Sequence, residues 1–137
     1  MAIENTPAAP HELATQIRSW ATALGFQQVG ITTTELADDE RRLNQWLAAG
    51  LHGEMGYMAR HGSKRFHPEE LVPGTIRVIS VRMDYLPAEE TPPELLLDKP
   101  EQAYISCYAL GRDYHKVIRR RLQQLADKIE AANGPFG

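Results

Sequence analysis

Apolar residues recur at helical spacing from Pro10, where Leu13, Ile17, Trp20, Ala21 and Leu24 line one face until Gly25 supplies a stop. Residues 1–9 precede this pattern as a flexible lead containing alanine and proline. Phe26 to Thr33 then alternates around Val29 and Ile31, which predicts the first strand. A second helical stripe carries Leu43, Trp46 and Leu47 and closes at Gly50, with Thr34 or Asp38 as its cap. From Leu51 to Gly74 the periodicity weakens into a loop with short helical turns, where glycines at 53, 56, 62 and 74 alternate with Met55, Tyr57, Met58 and three histidines.

Residues 75–86 read as the strongest strand. Ile76 and Val78 fall on one face and Ile79, Val81 and Met83 on the other, the pattern of an interior strand at the centre of a sheet. Residues 87–101 hold four of the nine prolines and five acids, and are expected to form a solvated loop with no regular element. Tyr104 to Tyr108 suggests a further short strand. Gly111 then turns the chain into a long helix from Asp113, its cap, to Ala132. That helix buries Tyr114, Val117, Ile118, Leu122, Leu125 and Ile129, turns Lys116, Arg119, Arg120 and Lys128 toward solvent, and ends at Asn133-Gly134. The fold class is α/β or α+β, with helices packed on a small mixed sheet. Residues 10–137 form one domain.

Charge sharpens this picture. The net charge is only −3, but residues 84–101 hold six acids against one base, and residues 112–128 hold six bases against two acids. One face can therefore be basic although the whole is acidic. The lone cysteine, Cys107, rules out an internal disulfide and a four-thiolate metal site made by these residues alone. The start of the sequence has neither a basic n-region nor an apolar h-region, and no apolar run approaches the roughly 20 residues of a membrane helix. A cytoplasmic protein without membrane attachment is expected.

The densest chemistry lies in Tyr104-Ile-Ser-Cys-Tyr-Ala-Leu-Gly-Arg-Asp-Tyr-His115. Cys107 sits in an apolar run with no paired base, so it reads as an inert buried thiol rather than a nucleophile. Histidines 52, 61, 67 and 115 match no zinc spacing, and no metal site is assigned. The glycines around 50–56 match neither a dinucleotide fingerprint nor a phosphate loop. Arginines 119–121 are either a solvated helix face or a phosphate contact. Arg65, in a loop bounded by glycine and proline, suits an anionic or amide-rich ligand.

Several segments together resemble the amino-terminal part of the epoxyqueuosine reductases. They are Leu24-Gly-Phe-Gln-Gln-Val-Gly-Ile-Thr32, His52-Gly-Glu-Met55, Met58-Ala-Arg-His-Gly62, Leu71-Val-Pro-Gly-Thr-Ile-Arg-Val-Ile-Ser-Val-Arg-Met83 and, most specifically, Tyr108-Ala-Leu-Gly-Arg-Asp-Tyr-His-Lys116. The resemblance spans residues 10–136. It implies an oxidoreductase of queuosine biosynthesis, a tRNA-processing enzyme that reduces the epoxide of epoxyqueuosine to queuosine at the wobble position of tRNA. It further implies a nitroreductase-like domain binding cobalamin, and two [4Fe-4S] clusters in a following ferredoxin-like domain that passes on electrons from a donor.

Carried over by position, Arg65 and Ser106 contact the cobalamin, and Tyr108, Arg112, Asp113, Tyr114 and His115 line the same region. Cys107 stands where the resembling proteins commonly have arginine. The resemblance places the proton-donating aspartate and the cluster cysteines beyond Gly137. No catalytic residue is therefore assigned within the chain, which is expected to be an inactive, monomeric fragment with a sheet edge left unpaired. Two other readings stay open: a non-catalytic module that binds a corrinoid or tRNA, and a nitroreductase-like flavin protein.

Overall fold

A computed structural model of the chain describes residues 10–85 and 92–135. The expected lead at residues 1–9 lies outside them, as do residue 86 of the expected strand and residues 87–91 of the acidic loop. The described residues divide into two compact units, one of residues 10–29, 81–85 and 92–135, the other of residues 30–80. The class is α+β, with four helices and one two-stranded sheet among the described residues.

In the first unit, α1 (Pro10–Ala23) opens on proline, whose missing N–H costs nothing in a first turn. Its end is a Schellman turn: Gly25 holds φ +85°, Gly25 N–H donates to the Thr22 carbonyl at 2.9 Å, and Phe26 N–H donates to the Ala21 carbonyl at 3.0 Å. Ala21 and Phe26, the residues joined by that bond, are both buried, Phe26 to 1% exposure. With Ile17, Leu125 and Ile129 they form this unit's buried core, where α1 packs against α4 (Tyr114–Asn133). Arg121 of α4 donates to the Gly25 carbonyl at 3.3 Å and contacts the Met83 sulfur at 2.9 Å, tying the helix to the turn after α1.

The cap of α4 is the expected one: Asp113 Oδ1 accepts the His115 N–H at 3.0 Å. The expected buried face is only partly so. Leu125 and Ile129 are buried and Val117 and Ile118 half-buried, whereas Tyr114 and Leu122 are exposed. Burial follows the contact with the shorter α1 and concentrates in the second half of α4.

Strands β1 (Gln28–Thr32) and β2 (Val78–Arg82) pair in one two-stranded sheet, and the chain passes between the units within them. The Gln27 N–H donates to the Arg82 carbonyl at 2.9 Å, so the start of β1 meets the end of β2 and the pair is antiparallel. Val29 and Ile31 are half-buried, as the alternation predicts. β2 corrects the sequence reading twice. It is shorter than 75–86, because Thr75 is held in the turn before it (Oγ1 donates to the Val72 carbonyl at 2.6 Å) and Asp84 N–H goes to the Gln27 side chain. It is also no central strand: β1 is its one neighbour among the described residues, and Ile76, assigned to a covered face, is 72% exposed.

Two further expectations fail here. Residues 87–101 do contain a regular element, the short helix α3 (Pro93–Leu97), because Pro92 and Pro93 sit where a first turn tolerates proline and the Leu95 N–H closes onto the Pro92 carbonyl at 3.0 Å. Tyr104 to Tyr108 form no strand. The backbone is extended to Ser106 and then closes a 3₁₀ turn, Cys107–Ala109, with Ala109 N–H donating to the Ser106 carbonyl at 2.8 Å.

In the second unit, α2 (Ala37–Ala48) places Asp38, Asp39 and Glu40 in its first turn, where the helix dipole favours acids. Neither Thr34 nor Asp38 caps it. The cap position is Leu36, which makes no side-chain cap bond, and Asp38 instead pairs with Arg41 at 3.0 Å. Gly50 at φ +68° ends the helix as expected. Residues 51–74 form the expected loop of short turns, 3₁₀ at Gly56–Met58, Gly62–Arg65 and Pro68–Glu70, with Phe66 buried.

Candidate functional site

The residues singled out by the sequence fall into both units. Arg65 belongs to residues 30–80 and the other six, Ser106, Tyr108, Arg112, Asp113, Tyr114 and His115, to the first unit. Arg65 is exposed, but its guanidinium already has work: Nε donates to the Arg60 carbonyl at 3.0 Å and Nη2 to the Tyr57 carbonyl at 2.7 Å. A planar fork spanning two carbonyls is what arginine supplies and lysine does not. Arg65 thereby clamps residues 57–65, and three of its roughly five N–H groups are left over.

The same loop holds features that composition did not single out. His61 adopts φ +73°, a left-handed backbone that non-glycine residues rarely take. His67 reaches Glu69 at 3.3 Å and Glu40 of α2 at 3.7 Å, and Ser63 donates to Glu70 at 2.9 Å. His52 stacks obliquely near Trp46, at 5.9 Å between ring centres, and its buried Nδ1 has no hydrogen-bond partner among the described residues. The only forewarning in the sequence was the density of histidine and glycine.

In the first unit, the turn at Cys107–Ala109, Gly111 at φ +78° and the cap of α4 bring Tyr108, Asp113, Tyr114 and His115 into one linked set. Tyr108 meets Tyr114 edge-on, 6.2 Å between ring centres and 79° between planes. Tyr114 stacks on His115 at 4.0 Å and 28°. Asp113 Oδ1 lies 3.1 Å from His115 Nδ1 and also accepts the His115 N–H. A carboxylate only accepts, so His115 Nδ1 is the donor in this contact. The set offers two phenol hydroxyls, two aromatic faces and an oriented imidazole.

Ser106, just upstream, lines a cleft of about 660 Å³ with Arg82, Met83, Asp84, Tyr85, Tyr104 and Cys107. Its walls mix an apolar sulfur and tyrosine rings with hydroxyl, carboxylate and guanidinium groups. Arg82 and Asp84 pair with each other at 3.2 Å. Cys107, expected to be buried, is half-buried at this cleft. Among the described residues no group of three histidine, cysteine, aspartate or glutamate side chains is placed to hold a metal ion, and no helix is long and apolar enough to cross a membrane.

These features give an α+β chain in whose first unit aromatic and polar residues gather at a helix cap, next in sequence to an amphipathic cleft. The family described as epoxyqueuosine reductase QueG, DUF1730, matches residues 65–136, just over half of the chain and all of the cap motif. Curated relatives named epoxyqueuosine reductase include those of Pseudomonas aeruginosa, 61% identical over 96% of this chain, and Xanthomonas campestris, 53% identical over 93%. That of Escherichia coli is 52% identical over 90%. The chain belongs to the epoxyqueuosine reductase family. It spans about a third of the length of these relatives, 36%, 36% and 32% respectively. No solved structure matches it significantly.

Proposed function

We propose that this chain is the cobalamin-binding amino-terminal portion of a cytoplasmic epoxyqueuosine reductase, in which residues 10–137 belong to a nitroreductase-like domain and the substrate is epoxyqueuosine in tRNA. The observation that carries the reading is the relation at 61% identity across 96% of the chain, which includes every candidate site residue. The chemistry of those residues fits a corrinoid. Its rim of amide side chains calls for hydroxyl and imidazole partners, which Ser106, Tyr108, Tyr114 and His115 present, and its flat ring calls for the aromatic and thioether surface of the cleft.

When bound, cobalamin supplies a low-valent cobalt centre for reductive chemistry, with electrons delivered by the [4Fe-4S] clusters of the family's ferredoxin-like domain. This chain's own residues bind and orient. Asp113 fixes the His115 ring through Nδ1, Tyr114 holds that ring by stacking, and Tyr108 backs Tyr114. Arg65 keeps its own loop in shape and has N–H donors to spare. One cysteine cannot supply the four thiolates of a [4Fe-4S] cluster, so electron delivery is not assigned to these 137 residues.

Titration of hydroxocobalamin into the purified chain tests the reading. The visible spectrum of the corrinoid is expected to shift with saturation, and the shift to weaken at least several-fold in Tyr108→Phe/His115→Ala. An unchanged spectrum at micromolar protein and corrinoid, or a bound flavin on purification, would overturn it. With reductant and tRNA substrate the chain alone is expected to form no queuosine, measured by nucleoside mass spectrometry.

A further inference from the structure

One groove of α4 has no part in the cap motif's aromatic set. It measures about 530 Å³ and is lined by Arg112, Asp113, Lys116, Val117, Arg120, Arg121 and Gln124, four bases against one acid. That acid is engaged, since Asp113 caps the helix and holds His115. Arg121 is half-buried against the Gly25 carbonyl and the Met83 sulfur and forms a fixed wall. Arg112, Lys116 and Arg120 are exposed, and no ion pair among the described residues neutralises them.

The contrast within the protein is sharp. On α2, Arg41 and Arg42 pair with Asp38 and Asp39, and the first turn carries three acids, as the helix dipole favours. On α4 the first turn has no acid, and bases crowd the end where the dipole repels them. Helix stability therefore does not account for this arrangement. Lys116 and Arg120 are four residues apart, about 6 Å along the axis, and so project from one side of the helix. About two turns further on, Asp127 is held by Gln123 at 2.8 Å.

We infer that the groove of Arg112, Lys116 and Arg120 on α4 is a contact surface for the phosphate backbone of the RNA that carries the substrate nucleoside. The inference rests on the proposed function for the identity of that RNA. Flexible cations on one ridge, backed by a fixed guanidinium, read charge and not sequence, so the surface positions the RNA and leaves selection of the nucleoside to other groups.

The test is binding of an unmodified tRNA transcript to the 137-residue chain, by anisotropy across a salt series, with the wild type, Lys116→Gln/Arg120→Gln and Arg119→Gln/Lys128→Gln. The last pair removes the same charge from the same helix outside the groove. Helix content by circular dichroism checks the fold of each. The groove variant is expected to reduce the slope of log K on log salt by about 2, so that a tenfold drop in salt raises wild-type affinity on the order of sixtyfold more than the variant's. The control variant is expected to retain most of the wild-type slope.

Equal losses in both variants, no loss in the groove variant, or no tRNA binding by the wild type at low salt would overturn the inference. Tighter binding of polyglutamate than of tRNA would assign the groove to an acidic protein and overturn it too. The corrinoid titration is independent: its failure with groove-dependent tRNA binding intact rejects the proposed function and leaves the surface standing.

Discussion

Replacing Arg65 tests both the clamp it forms and the ligand contact proposed for it. The guanidinium donates to the Arg60 and Tyr57 carbonyls at 3.0 and 2.7 Å, closing the loop that holds His61 at φ +73°. Arg65→Lys keeps the charge and loses the fork. At an exposed site two such bonds contribute about 1–2 kcal/mol together, the low end of the usual range. That is local stability: the loop's opening equilibrium should rise roughly tenfold, since about 1.4 kcal/mol is a factor of ten. Amide hydrogen exchange reads it directly. The Lys64, Phe66 and His67 N–H groups, bonded to the His61 and Ser63 carbonyls, should exchange about tenfold faster in Arg65→Lys, with α1 and α4 unchanged. Unchanged protection of the loop would refute the clamp. If protection falls but the cobalamin spectrum still shifts, the charge and not the loop shape serves the ligand; if both are lost, the loop shape matters.

Two other substitutions probe the scaffold. Phe26→Ala empties the one fully buried large side chain of the first unit and should destabilise it by about 3–5 kcal/mol, seen as a lower urea midpoint by circular dichroism. Gly25→Ala should cost about 1–2 kcal/mol from the left-handed backbone, and more from contact, because its new methyl would lie 2.8 Å from Arg121 Nη1. In the same urea assay, a Gly25→Ala loss no larger than that backbone cost would show that the Arg121 tether yields without cost.

Local chemistry was legible in the sequence wherever one residue decides the outcome. Pro10, Gly25, Gly50, Asp113 and Gly134 each mark an end of α1, α2 or α4. What failed depended on neighbours. The apolar faces of residues 75–86 predicted a covered central strand, but whether a strand is covered is decided by what pairs with it, and here β1 is the partner described. Counting prolines hid α3, since two of them stand where helices begin. At the site, the cap and the aromatic set follow from spacing within Tyr108–His115, whereas the Arg65 clamp rests on the carbonyls of Tyr57 and Arg60, which no side-chain pattern announces.

Helix α4 shows how one element can meet several demands. Its core positions, Leu125 and Ile129, lie in the second half and hold it to α1, so its first half is free to be specified by ligands. That half carries the costs expected of a functional segment: bases at the positive end of the dipole, and Tyr114 and Leu122 exposed. The cap offsets part of this, because Asp113 answers an unpaired helix N–H and the His115 ring with one carboxylate. Orientation of the imidazole and integrity of the helix start thus rest on the same carboxylate oxygen. A ligand that needs His115 in place gains it from the fold of α4, with no further ordering to be done on binding.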